Sequence, residues 1–135
     1  MGGNSLGRSS RESWSGQIVQ VTCKTLDGYI RSCALDHIVI LKMDVEGAEV
    51  DALTGAKELL GSERKPICLL EFNDPALKNL GHSSAELAHL LEAYGYELFR
   101  VTDVGLLRLG PDTTPSGVYD CLALPRTNLR LSSTG

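Results

Sequence analysis

The segment Leu41-Lys42-Met43-Asp44-Val45-Glu46-Gly47-Ala48-Glu49 gathers three carboxylates, a lysine and a glycine into one short run. A further carboxylate, Glu71, follows the apolar pair Leu69-Leu70, with Asn73 two positions on. Carboxylates held close together can orient a hydroxyl-bearing ligand, and one of them can take the hydroxyl proton as a general base. An all-oxygen set also suits magnesium or calcium, although no ligand spacing here demands a metal and none is assigned. The competing explanation is local. Asp44 and Glu46 precede a helical pattern, where carboxylates cap free amides and interact favourably with the helix dipole. Glu49, further into that pattern, is expected to be structural.

The elements around these residues decide where they can point. Ile38-Val39-Ile40-Leu41 is a continuous apolar run, as expected of a strand covered on both faces of a parallel sheet. Ala48, Ala52, Leu53, Ala56, Leu59 and Leu60 recur at helical spacing and predict one helix from Ala48 to Leu60, stopped by Gly61. Ile67 to Leu70, entered through Pro66, is the next strand. A strand, helix and strand in this order make a parallel pair with a crossover. Asp44 and Glu71 are then expected side by side at the carboxyl ends of adjacent strands, where open α/β sheets bind ligands. Lys42, two residues before Asp44, shares its side of the strand and is expected to neutralise the carboxylates, with Asn73 adding a neutral hydrogen bond to the substrate.

Elsewhere, Gln17 to Thr25 alternates apolar and polar residues and predicts a partly exposed strand. Asp27-Gly28 marks a turn, and Tyr29 to Leu35 a short helix with Tyr29, Ile30 and Cys33 inward. Ser84 to Tyr94 predicts a helix with Leu87, Leu90 and Leu91 inward, capped by Ser83 or Ser84 and ended by Gly95. Glu97 to Val101 is a strand, Leu106 to Leu109 pairs back on it through Asp103-Val104-Gly105, and Val118 to Leu124 supplies the last strand. Residues 1–16 and 125–135 lack periodicity and are expected to be flexible arms around a domain spanning 17–124.

The run from Leu41 to Glu49, continued by Leu53 and Gly55-Ala56, resembles the signature of the FkbM family of S-adenosylmethionine-dependent methyltransferases. Thr25-Leu26-Asp27, Lys65-Pro66 leading into Leu69-Leu70-Glu71, Tyr94-Gly95-Tyr96-Glu97-Leu98 and Asp103-Val104-Gly105-Leu106 match further landmarks of that family in order. The resemblance implies a doubly wound, Rossmann-like α/β sheet, mostly parallel with an antiparallel strand at its carboxyl-terminal end. It also implies S-adenosylmethionine as cofactor, a small-molecule or sugar hydroxyl as acceptor, and O-methylation as the reaction; the chemistry of the carboxylate cluster then makes Asp44, Glu46 and Glu71 the expected catalytic residues, with Lys42 and Asn73 binding substrate. The family's opening strand and glycine-rich cofactor turn have no counterpart here, because no apolar strand precedes Gly2-Gly3-Asn4-Ser5-Leu6-Gly7. The chain therefore reads as the carboxyl-terminal part of the domain, with its cofactor-binding residues unassigned. The alternative is a non-catalytic remnant that acts as an interaction module, associating with itself or with a complementing chain through an open strand edge.

Composition narrows the partners. The net charge of -4 and the lack of a basic cluster argue against nucleic acid. No run of about 18 apolar residues exists to span a membrane. Without a secretory leader pattern, the default expectation is a soluble, cytoplasmic protein. Cys23, Cys33, Cys68 and Cys121 show no zinc spacing, and Cys68 and Cys121 fall in apolar strands as small hydrophobes.

Overall fold

The computed structural model describes residues 19–110 and 116–126. The expected arm at 1–16 lies outside the described residues, as does that at 125–135 except for Pro125 and Arg126, of which Pro125 is buried at the end of the last strand. The elements run α1 (Leu26–Ser32), β1 (Ile40–Met43), α2 (Glu49–Thr54), α3 (Lys57–Gly61), β2 (Ile67–Asn73), α4 (Asp74–Asn79), α5 (Ser84–Ala93), β3 (Tyr96–Thr102), β4 (Gly105–Arg108) and β5 (Val118–Pro125).

The strands form one sheet in the order β1-β2-β5-β3-β4. β1 and β2 are parallel, as the strand, helix and strand order requires, and β5 inserts antiparallel between β2 and β3. β3 turns back into β4 as an antiparallel hairpin through Asp103 and Val104.

Alternation along these strands separates two faces. Met43, Cys68, Leu70, Phe72, Leu98, Cys121 and Ala123 point to one face, where they pack with Leu53, Leu60, Leu77, Leu87 and Leu91 from the helices. On the other face stand Ile40, Lys42, Leu69, Glu71, Asn73, Phe99, Asp120 and Leu122, none of them fully buried. Among the described residues the helices thus cover a single face. The expectation that the strand at Ile38–Leu41 is covered on both sides is not met: Val39 is 60% and Ile40 63% exposed. The strand itself runs two residues later, because its parallel ladder starts where Ile40 meets Ile67.

Other elements also differ from expectation. Residues 19–25 form no strand, and Val19 and Val21 are exposed, since no neighbouring strand offers them a ladder. The first helix starts three residues earlier, at Leu26 behind the Thr25 N-cap. Tyr29 and Cys33 consequently face solvent, while Asp27 is turned inward. The single helix expected over Ala48–Leu60 is broken at Gly55-Ala56 into α2 and α3. Its apolar stripe survives the break, with Leu53, Ala56 and Leu60 fully buried.

Asp27 explains how the break is tolerated. Its Oδ2 accepts from the Glu58 amide at 2.9 Å and its Oδ1 from the Leu59 amide at 3.1 Å. Its own amide donates to the Gly55 carbonyl at 3.0 Å. A carboxylate in α1 therefore supplies the N-terminal cap that α3 lacks locally. This assigns Asp27 a capping role, with each of its oxygens accepting one backbone amide. Asp27→Ala is expected to cost about 2 to 3 kcal/mol, and Asp27→Asn less, because one acceptor oxygen survives. Urea denaturation of the two variants beside the parent chain measures both.

α4 is an element the apolar pattern did not announce. Its signal is nevertheless in the sequence: Asn73 caps it by accepting from the Ala76 amide at 3.1 Å, and Pro75 lies in its first turn. α5 follows expectation, with Ser83 as N-cap and Leu87 and Leu91 buried.

Candidate functional site

β1 delivers its last residue, Met43, opposite Leu70 of β2. Asp44 is the next residue along the chain, just past the end of β1. Glu71 is paired with Asp120 of β5. Glu71 and Asp120 thus stand side by side on the face that the helices leave open. Lys42 lies on the same face one step back, beside Leu69. It makes no ion pair with a described residue, so the expected neutralising contact is not formed. Asp120 was invisible to sequence reasoning, because the antiparallel register of β5 against β2 depends on a pairing about fifty positions away in the chain.

Glu71 is held in place from within its own strand. Its Oε1 accepts from Asn73 Nδ2 at 3.0 Å, while Asn73 Oδ1 caps α4. Asn73 therefore spends both ends of its amide on positioning, tying the carboxylate to the start of a helix. Two like charges on directly opposed strand residues repel. The Glu71 and Asp120 pair is thus a local cost of the fold at the place where the sheet is open.

The turn after β1 is equally constrained. Glu46 has φ +54° and Gly47 φ +99°, two successive residues in the left-handed region. For glutamate that conformation costs about 1 to 2 kcal/mol, which neighbouring contacts must offset. Asp44 and Glu46 are exposed, and neither caps α2, whose N-cap is Ala48 with no side-chain hydrogen bond. The capping explanation for these two carboxylates is therefore not what the geometry displays. Gly47 instead lets the turn press on α4: a β-carbon there would stand 2.3 Å from the Ala76 carbonyl oxygen. Among the described residues no three His, Cys, Asp or Glu side chains are arranged to hold a metal ion.

The histidines and cysteines contribute elsewhere. His82 Nδ1 lies 3.1 Å from Glu86 and Nε2 3.3 Å from Asp51, bridging α2 and α5. Partial burial disfavours its charged form, but the two carboxylates outweigh this and hold its pKa above the ordinary value. A raised folded pKa means the bridge stabilises fully below the unfolded value of about 6.5 and fades as pH rises through the folded pKa. His82→Gln is accordingly expected to melt below the parent at pH 5.5, by no more than about 1 kcal/mol, with the gap closing by pH 8.5. Thermal melts of both proteins across that range supply the check. Burial pushes the Cys68 thiol up to about 11 and the Cys121 thiol up to about 12, so both behave as apolar packing groups, as expected.

A mixed α/β domain with a five-stranded sheet and acidic residues at the carboxyl end of its parallel pair is compatible with a methyltransferase fold. The family model described as the Methyltransferase FkbM domain matches residues 2–98, and the chain belongs to this family. No curated protein and no solved structure matches the chain. Membership supports a methyltransferase-like enzyme and implies S-adenosylmethionine use in general. No described helix is long and apolar enough to cross a membrane.

The turn after β1 offers that donor no open glycine cradle. Gly47 is the one glycine between a described strand and the helix that follows it, and the space where a ligand would approach it is filled by the Ala76 carbonyl. No step of the reaction is therefore assigned through donor contacts in this part of the chain.

Proposed function

We propose that the chain is the acceptor-handling, carboxyl-terminal part of a Rossmann-like methyltransferase that O-methylates a small-molecule or sugar hydroxyl. The observation that carries this reading is the pair Glu71 and Asp120 on the uncovered face of the sheet, with Glu71 anchored by Asn73 and Asp44 just past the end of β1. S-adenosylmethionine supplies the electrophilic methyl group in such a reaction. The residues of this chain receive the acceptor. Glu71 accepts the hydrogen bond of the reacting hydroxyl and takes its proton as the oxygen becomes a nucleophile, with Asp44 as the neighbouring carboxylate. Glu46 lines the same lip from the turn. Lys42, which makes no ion pair with a described residue, balances the charge of the carboxylates from a distance or contacts an acceptor oxygen. Asn73 acts by holding Glu71 still.

Titration calorimetry of the folded chain with S-adenosylhomocysteine tests whether this part suffices for the donor. Saturable one-site binding supports an enzyme that works as it stands. A well-folded chain that releases no heat of binding would remove independent catalysis.

One observation favours a second reading, in which the chain works only with a partner. The outer edge of β1 has no described neighbour, and Val39 and Ile40 beside it are largely exposed. An apolar, unprotected edge invites another strand, from a second copy or from a complementing chain. Sedimentation velocity across a range of concentrations separates this reading from a monomeric enzyme.

A further inference from the structure

Glu49 is the most deeply buried carboxylate among the described residues, at 1% exposure, in the first turn of α2. Its Oε1 accepts the Val45 amide at 3.2 Å. Its Oε2 is also buried and has no hydrogen-bond partner among the described residues. Burying a carboxylate on a single amide hydrogen bond is unfavourable, so stability of α2 alone does not explain it. The amide it receives belongs to the residue between Asp44 and Glu46. That residue opens the strained turn in which Glu46 and Gly47 are left-handed. Among the described residues the other hydrogen bond closing the turn is the weak one from the Ala48 amide to the Val45 carbonyl, at 3.3 Å.

We infer that Glu49 is a positioning residue for the acceptor site: its buried carboxylate clamps Val45 from below and thereby fixes the directions of Asp44 and Glu46 on either side. The inference rests on the reading of Asp44 and Glu46 as site residues, but its structural part does not depend on activity. It assigns to Glu49 a task distinct from the dipole and capping roles of acidic residues in a first helical turn. A side chain with one acceptor oxygen in the same place, glutamine, performs the clamp. A side chain with none does not.

The test compares Glu49→Gln and Glu49→Ala in the full chain by amide hydrogen exchange. Loss of one such bond is expected to speed exchange of the Val45 amide about tenfold in Glu49→Ala, with Leu70 and Phe72 in the core strand changed far less. Glu49→Gln is expected to keep Val45 exchange within about threefold of the parent. Should Glu49→Ala fail to fold, the glutamine variant still decides, because unprotected Val45 in an otherwise protected Glu49→Gln overturns the clamp. Exchange that rises uniformly over the domain in Glu49→Ala overturns it as well, leaving a purely structural residue. For the functional half, Glu49→Ala should lower kcat of methyl transfer with KM little changed, and Glu49→Gln should restore it. A clamp confirmed by exchange in a chain without transferase activity would count against the proposed function and not against the clamp.

Discussion

Gly47→Ala is expected to remove about 3 to 4 kcal/mol of stability, from the sum of a left-handed alanine and a backbone clash. The added β-carbon would meet the Ala76 carbonyl oxygen at 2.3 Å and its carbon at 2.5 Å, both main-chain atoms that cannot turn aside. Relief demands that α4 separate from the turn, and α4 carries Leu77, which is fully buried in the core. For a domain whose whole stability is about 5 to 15 kcal/mol, a loss of this size unfolds a large share of the molecules on modest warming. Gly61→Ala is the matched control. Nothing lies within 4 Å of its would-be β-carbon, so that variant should equal the parent or gain up to about 1 kcal/mol. Chemical denaturation followed by circular dichroism measures both, and equal midpoints for Gly47→Ala and the parent would refute the close approach.

Glu71→Gln should raise stability and lower activity together. Facing Asp120 across the ladder, the ionised Glu71 costs about 0.2 to 1 kcal/mol that a neutral amide relieves, and glutamine can still bond Asn73. Removing a general base costs about 10² to 10⁴ in rate. The pairing of a higher melting temperature with a rate lower by at least about a hundredfold is the mark of a residue kept for chemistry. A variant that melts lower and transfers methyl groups normally would return Glu71 to a structural role.

The parallel pair that puts Glu71 on β2 and Asp44 just past β1 was legible in the sequence because it depends on local order. The strand, helix and strand pattern from Ile38 to Leu70 is enough to make β1 and β2 parallel. The hairpin at Asp103-Val104-Gly105 and the helix after Ser83 were readable for the same reason, from turn and cap residues. Asp27 was harder. Its neighbours Asp27-Gly28 suggest a turn, but the amides it caps lie in α3, some thirty residues on, at a break that the apolar stripe conceals. Asp120 was unreadable, since period-two alternation gives a strand its faces and not its partner. Likewise, apolar content at Val39 and Ile40 cannot say whether a second layer of helices covers them. Glu49 looked like any acidic residue in a first helical turn, and only its burial reveals the bond to Val45.

The measurement that bears most directly on the acceptor-site claim is transfer of a radiolabelled methyl group from S-adenosylmethionine to a panel of sugars and polyols, with the product bond identified by mass spectrometry. Label is expected in an alkali-stable ether linkage with the parent chain and is expected to be lost with Glu71→Gln. A folded parent chain that labels no hydroxyl acceptor, or a Glu71→Gln variant that labels as well as the parent, would contradict that claim.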